Sequence, residues 1–600
     1  MSDMTSRGRN IAALLLGAAS IFWGCSSAPV EIIPEPVSVK TGHGYCAPGT
    51  LVQEILSPEL SQRLGDEGYL LDVSRKAITV KAATQTGLFY ARQTLSQITS
   101  EKGIRCVKIE DRPRFSYRGF HLDVSRHFFG KQEVEKVIDE ASRYKFNQFH
   151  FHLTDNGGWR IQIDAYPLLT EMGSYRVMKD WDGWWKMGKR LFCSADTPGA
   201  YGGYFTKEDI REIVAYAAER HINVIPEIEF PAHSDPVFVG YPELCCDGEP
   251  YLSGEFCPAN PAVYDFARTV LGEVMELFPS RIIHIGADEA RKHSWKKCPA
   301  CQALMKKEGM ASLDDLQCYM VSRLAEILKE KGRTMAGWDE ILKNEDLTPD
   351  TYVYSYRGEK GGIRAANRGL QAIMTPGEIL YMDWYQASPE YEKKAMYGYS
   401  PIKKMYSFIP VPDTPGKAAF NESLVEARKV GADSVEFILP ECAGNVAGIE
   451  GCAWAEYMPT REHLEYMMFP RLLAIAELAW SQPQNLSWER FRASLPAFMD
   501  ALRARGFNVY DLHNAPEVTC DGTLIRMESE NPLAVVRYTL DGSAPDAASP
   551  IYEKPFPVKG SVTVRAASFI GGEKVSYERS AVLEEGTETL DYYPLTYYPS

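Results

Sequence analysis

From residue 115 to about 481 the chain alternates short, almost wholly apolar runs with longer stretches whose apolar positions recur every three or four residues. The short runs fall at 119–123, 148–153, 222–228, 282–285, 334–336, 352–356, 371–374 and 446–454. Runs of this kind read as strands. Two of the intervening stretches carry clear helix chemistry. Val134, Val137, Ile138 and Ala141 share one helical face, as do Ile210, Ile213, Val214, Ala217 and Ala218, and the second set follows a capping-box start at Thr206-Lys-Glu-Asp209. Parallel strands require long crossovers, so eight such units predict a (β/α)8 TIM barrel. A flavodoxin-like open sheet would need fewer strands and less chain.

The flanks have a different texture. Residues 31–112 predict a small α+β unit, with a strand at Ala77-Ile-Thr-Val80, a helix over 86–98 and a boundary at Arg112-Pro113-Arg114. A helical stretch over 489–505 trails the barrel, which takes that unit to 113–515. After Ala515-Pro516 short alternating runs at 535–539 and 562–568 flank Asp541-Gly542-Ser543. Asp-Gly between alternating runs is a hairpin signal, and a small β-sandwich is expected over 516–584. The tail, 585–600, with Tyr592, Tyr593, Tyr597 and Tyr598, is expected to be a loosely docked end.

At the other end, Arg7 and Arg9 precede an apolar run over 11–23 that closes on Gly24-Cys25-Ser26-Ser27. The run is too short to span a bilayer but suits a signal peptide, 1–24, with Cys25 as the lipidated residue. The expectation is an exported lipoprotein, periplasmic or at the outer membrane or cell surface, held to the membrane by its N-terminal lipid. Twelve of the 13 cysteines remain once Cys25 is set aside. They are too sparse for a disulfide scaffold. Cys298-Pro-Ala-Cys301 has no second CxxC or HxxxH beside it, so it reads as a local bridge or free thiols; no metal and no other cofactor is expected. With 80 acidic and 65 basic side chains, a net charge of −15, nucleic acid is not expected as a partner. A content of 12% aromatic residues suits a ligand with flat apolar faces.

In barrels of this type chemistry collects where the strands stop. Those ends read His150-Phe-His152-Leu-Thr-Asp155, Glu227-Ile-Glu229-Phe-Pro-Ala-His233, His284-Ile-Gly-Ala-Asp288-Glu289, Trp338-Asp339-Glu340, Tyr381-Met-Asp383 and Trp454-Ala-Glu456. Carboxylates and tryptophans at nearly every strand end fit a polar, ring-shaped, neutral ligand. The adjacent Asp288-Glu289 is the sharpest feature. Neighbouring carboxylates at a strand end can diverge, and crowding raises the pKa of at least one, as a general acid requires. Capping preferences alone could also place this dipeptide at a helix start.

These motifs, with Arg118-Gly-Phe-His-Leu-Asp123 and Gly337-Trp338, resemble in order those of the family 20 glycoside hydrolases, the exo-β-N-acetylhexosaminidases, over residues 31–481. The N-terminal Ile33-Pro34-Glu35-Pro36 segment resembles the family's accessory domain, and Tyr538-Thr-Leu-Asp-Gly-Ser543 the β-sandwich often appended to it. The resemblance implies glycan degradation by substrate-assisted, retaining hydrolysis, an exception to the two-carboxylate scheme. It implies Glu289 as general acid and base, Asp288 as acceptor of the acetamido N–H, and Tyr381 as donor to the acetamido oxygen. It implies Arg118, Asp383 and Glu456 as partners of ring hydroxyls, Trp338 and Trp454 as sugar-facing walls, and Asp155 and His233 as supports of Glu289.

The chain departs from the family pattern in places. Where a Trp usually precedes Arg-Gly after the sixth strand, Tyr356 stands here, and Asn156 follows Asp155 where a second Asp is common. Tyr399 is a candidate for the remaining pocket aromatic, and Trp181, Trp184 and Trp185 either form a leaving-group subsite or pack on the barrel. Two other readings compete: a metal-dependent barrel hydrolase using His150 and His152, and a glycan-binding lipoprotein with an inactive barrel. The retained Asp288, Glu289 and Tyr381 count against the second.

Overall fold

The computed structural model describes residues 30–387, 389, 392–413, 437–584, 586 and 587. The leader with Cys25, and the tail tyrosines, lie outside the described residues. Eight strands close into a parallel barrel: β1 Tyr117–Asp123, β2 Gln148–His152, β3 Asn223–Phe230, β4 Ile282–Gly286, β5 Thr334–Trp338, β6 Tyr352–Ser355, β7 Gln371–Met374 and β8 Val446–Ala453. Each strand pairs with its sequence neighbour, and β8 pairs with β1 to complete the circuit. The crossovers are the amphipathic helices that the periodicity marks. Helix Lys131–Arg143 buries Val134, Val137, Ile138 and Ala141, and Lys207–Ala218 begins with a reciprocal Thr206–Asp209 capping box.

The N-terminal unit is a sheet in the order Ser38–Cys46, Gly103–Asp111, Tyr69–Val73, Ile78–Ala82, Val52–Leu56, covered by helix Gln85–Gln97. It plugs the end of the barrel opposite the strand C-termini through a buried polar seam. Asp111 pairs with Lys145 at 2.9 Å, both side chains fully buried, and accepts from Trp480 Nε1 at 2.9 Å. Removing two charges from water is tolerable only when each is satisfied, and Tyr69 Oη completes the Asp111 shell at 2.6 Å. Arg118 belongs to this seam. Its guanidinium donates to Glu67 at 2.6 and 3.0 Å and to Tyr90 Oη at 3.0 Å, and it lies over the Trp480 ring.

Beyond the barrel, helix Trp488–Ala504 leads to two small sheets, one of Glu517–Cys520, Leu524–Glu528 and Phe556–Pro557, the other built on Val535–Thr539, Val562–Ile570, Glu573–Lys574 and Arg579–Leu583. Val535–Thr539 and Val562–Ile570 are antiparallel partners, as the alternation implies. They are not joined by a tight Asp541-Gly542 hairpin. The connection detours through Phe556–Pro557 in the other sheet. The Cys298–Cys301 pair takes the free-thiol form of the expectation: no cysteine among the described residues is disulfide-bonded, and both thiols sit beside Cys246 and Cys257 from the preceding loop.

Candidate active site

The site is assembled at the C-terminal ends of the strands. At the end of β1, Asp123 Oδ1 accepts the backbone N–H groups of Ser125 at 2.7 Å and Arg126 at 3.0 Å, turning the chain back over the barrel mouth. The Arg126 guanidinium then meets Asp123 at 3.2 Å, Asp155 at 2.8 Å and Glu456 at 3.7 Å, and lies over the Trp454 ring.

Below this mouth the barrel interior is polar. Glu227 on β3 is contacted by His152 Nδ1, by His284 Nδ1 at 2.8 Å and by Trp338 Nε1 at 2.8 Å. His150 Nδ1 pairs with Glu450 at 2.8 Å, and its Nε2 lies 3.1 Å from Glu227. Burial would push the Glu227 carboxyl up, but the surrounding imidazoles outweigh it and hold it well below the usual range. His152 Nε2 continues the chain to Asp155 at 3.0 Å, and Asp155 Oδ1 lies 3.1 Å from His233 Nδ1. The ring nitrogens of His150 and His152 thus face carboxylates of the core: Glu450 and Glu227 for His150, Glu227 and Asp155 for His152.

His233 Nε2 faces the central pair, 3.5 Å from both Asp288 and Glu289. Burial opposes its protonation, yet Asp155 and Asp288 raise its pKa well above the usual histidine value, so it is a cation. The pair itself stands on a tight exit from β4. Gly286, Ala287 and Glu289 all have left-handed φ, of 67°, 76° and 49°. A Cβ on Gly286 would approach Glu229 Oε2 to 1.8 Å, so with its left-handed φ the position favours glycine. This turn separates the two neighbours: Asp288 is buried, while the Glu289 side chain is 62% exposed toward the mouth. Burial raises the Asp288 pKa against the pull of His233. The His233 imidazole beside it lowers that of Glu289, outweighing its desolvation.

Aromatic rings wall the space above. Trp338 packs edge-on to Tyr356 at 5.5 Å and tilted against Trp454 at 5.6 Å, and Tyr381 lies 5.8 Å from Trp454. Burial lifts the Tyr381 pKa well above 10, so the phenol remains a donor. Tyr356 Oη donates to Glu340 at 3.2 Å, a contact open to a phenol and not to an indole carbon edge. Asp383 and Glu456 close the ring. Burial, then the neighbouring Glu456, raises the Asp383 pKa well above the carboxylate range, and burial likewise raises that of Glu456 against Arg126. Asp288 Oδ1, Asp383 Oδ1 and Glu456 Oε2 are buried with no hydrogen-bond partner among the described residues. Buried polar groups left without partners around one site fit a polar ligand able to pair with them.

The structure thus brings together Asp288, Glu289, Tyr381, Trp338, Tyr356, Asp383, Trp454, Glu456, Asp155 and His233. Arg118 is a correction. As the second residue of β1 it sits about 17 Å along the strand from Asp123, at the far end of the barrel. Arg126 occupies the pocket instead. The signal was available, since Arg126 follows the strand and Arg118 starts it. Glu229, which burial and Asp288 keep protonated, is the other pocket-side group that the sequence reading left without a role. Tyr399 also falls elsewhere, its hydroxyl directed at Glu517 of the C-terminal unit at 3.4 Å. Trp181 and Trp184 are buried in a satellite cluster with Tyr457, next to Glu456. Trp185 stacks on Trp181 at the surface.

Comparison with known proteins places the chain. Residues 115–483 match the model for the glycosyl hydrolase family 20 catalytic domain, residues 47–112 the family's domain 2, and residues 517–579 the chitobiase/beta-hexosaminidase C-terminal domain. The chain belongs to glycosyl hydrolase family 20. It is 33% identical to a beta-hexosaminidase of Porphyromonas gingivalis over 87% of this chain and 65% of that protein, so it spans about two thirds of that relative's length. It is 30% identical to a beta-hexosaminidase of Akkermansia muciniphila over 78% of this chain and 90% of that one. Among solved structures, a family 20 exo beta-N-acetylglucosaminidase from Vibrio harveyi in complex with N-acetylglucosamine superposes with a TM-score of 0.68 at 28% identity, covering 82% of this chain and 81% of that one. The family 20 assignment accounts for the barrel and both flanking units.

Proposed function

We propose that the chain is an exo-acting β-N-acetylhexosaminidase that releases terminal β-linked GlcNAc or GalNAc from glycans with retention of configuration. The observation that carries this reading is the divergence of Asp288 and Glu289 about His233, one carboxylate buried in the pocket and the other open to its mouth. A terminal sugar seated between Trp338, Tyr356 and Trp454 directs its 2-acetamido group toward Asp288 and Tyr381. Asp288 accepts the amide N–H, and Tyr381 donates to the carbonyl oxygen and aims it at the anomeric carbon. That oxygen attacks as the glycosidic bond breaks, and Glu289 gives its proton to the leaving oxygen. The resulting oxazolinium ion is opened by water, whose proton returns to Glu289. A bound sugar covers Glu289 and strips its water, which shifts its pKa upward from the value His233 imposes and readies it as an acid. Arg126, Glu456 and Asp383 pair with the ring hydroxyls.

Two substrates test this reading. An aryl N-acetyl-β-glucosaminide is hydrolysed and the plain glucoside is not; equal turnover of the two would remove the acetamide from the mechanism. With a poorly activated leaving group, Glu289→Gln lowers kcat by about 10²–10⁴-fold, the usual worth of a general acid.

The leader reading belongs to the same proposal. Arg7, Arg9 and the apolar run ending at Gly24-Cys25 support an exported protein anchored through a lipid on Cys25. Among the described residues no helix is long and apolar enough to cross a membrane. Metabolic labelling with a fatty acid, lost in Cys25→Ser, is the check.

A further inference from the structure

We propose that Cys246, Cys257, Cys298 and Cys301 form a tetrahedral four-thiolate site for Zn2+ that fastens the loop after β3 to the loop after β4. The four sulfurs come from two chain segments that are distant in sequence. Cys246 and Cys257 lie between β3 and helix Pro261–Leu277, and Cys298 and Cys301 lie just beyond the Asp288-Glu289 turn. Their Sγ atoms are mutually within 4.8 Å. Cys246 and Cys257 each lie 3.7 Å from Cys301, and Cys257 lies 3.9 Å from Cys298. A tetrahedron with Zn–S bonds of about 2.3 Å has S···S edges of about 3.8 Å. The spacing is therefore that of ligands around one ion, well beyond the roughly 2 Å of a disulfide.

The surroundings fit a thiolate centre. Cys298 is the N-cap of helix Pro299–Glu308 with no side-chain capping bond, and Cys301 lies in its first turn. Both sulfurs therefore face the positive end of a ten-residue helix. The Ala259 amide donates to Cys257. Cys257, Cys298 and Cys301 are buried, with Trp295 and Leu316 in the same apolar cluster. Four soft ligands with no hard donor among them select Zn2+ over calcium or magnesium.

The site also has a structural consequence for the catalytic turn. Two residues on the way from Glu289 to Cys298 are tied to the run that ends in Cys257. Lys292 N–H donates to Glu255 at 2.9 Å, and Trp295 Nε1 donates to the Phe256 carbonyl at 2.9 Å. The metal would close this ladder at its far end, and so position the β4 turn without touching substrate.

Metal content and a spectroscopic probe test the proposal independently of glycosidase activity. The full chain, purified under reducing conditions without chelator, carries about one zinc per chain by elemental analysis, released when the thiols are titrated with a mercurial reagent. After chelation and reloading, Co2+ gives the thiolate-to-metal charge-transfer and visible bands of a tetrahedral four-sulfur site. Cys298→Ser/Cys301→Ser loses the zinc. Should that variant fail to fold, Cys246→Ser alone, at the more accessible position, still loses the four-sulfur cobalt spectrum. Substoichiometric zinc together with no tetrahedral cobalt spectrum overturns the proposal. So does mass spectrometry that finds the four cysteines paired as disulfides in protein taken from its native compartment.

Discussion

Glu340 Oε1 accepts the backbone N–H of Glu289 at 2.9 Å, so the proposed proton donor is held by the turn that follows β5 as well as by its own turn. The same oxygen accepts Tyr356 Oη at 3.2 Å, which links the aromatic wall to the acid. Glu340→Ala frees an amide in a left-handed turn and loosens the geometry on which proton transfer depends. The expected result is a fall in kcat of about 10–100-fold, with KM changed far less. A change confined to KM would assign Glu340 to sugar binding instead.

His233 bears on both members of the central pair, and the sign of its effect can be worked out. Its charge lowers the pKa of Glu289 and opposes the burial that raises Asp288. Glu289 must be protonated for bond cleavage and Asp288 ionised, so they govern the basic and acidic limbs of the rate profile, respectively. His233→Gln removes the cation, both carboxyl pKa values rise, and the whole bell of kcat/KM moves to higher pH. If neither limb moves, the imidazole is not electrostatically coupled to the pair.

The arginines at the two ends of the first strand, Arg118 within its start and Arg126 just beyond its end, separate function from stability. Arg126→Ala deletes a guanidinium shared by Asp123, Asp155 and Glu456, and kcat/KM falls by about 10²-fold or more as substrate hydroxyls lose their partner. Arg118→Ala leaves KM within about twofold but breaks a pair buried on the arginine side, at a cost of about 3 kcal/mol. Thermal unfolding beside steady-state kinetics distinguishes the two.

A carboxyl at the junction of the barrel and the C-terminal unit sets a pH dependence of stability. Burial pushes Glu530 up to about 8, even though it accepts from His513 N–H and Tyr510 Oη. A folded-state pKa above the unfolded value means that the native state binds the extra proton. Stability from this group is full below about 4.5 and is lost as pH rises toward 8. Glu530→Gln therefore flattens the fall in melting temperature between about pH 5 and 8. An unchanged slope would place its origin elsewhere.

What could be read from the sequence follows from what the sequence encodes locally. The eight strands are legible because a barrel strand is buried on both faces and leaves a short run rich in apolar residues, as at Ile282–Gly286, which only His284 interrupts. Asp288, Glu289, Tyr381 and Trp454 are legible because they sit at the ends of such runs. Arg118 misleads because its motif begins on the strand while the pocket lies at the strand's other end. The four-cysteine cluster is invisible for a related reason. Cys246 and Cys257 have no metal-ligand spacing, and only the pairing of β3 with β4 brings them to Cys298 and Cys301. The polar core around Glu227 is likewise a product of closure, gathering side chains from four different strands.

The seam around Asp111 has a bearing on how the molecule is held together. Asp111 ends the last long strand of the first unit, and the indole that caps it, Trp480, comes 369 residues later. The group that satisfies this buried carboxylate therefore sits in the final barrel helix, so the first unit can be completed only by the end of the catalytic domain, and the contact locks the two ends of that region together.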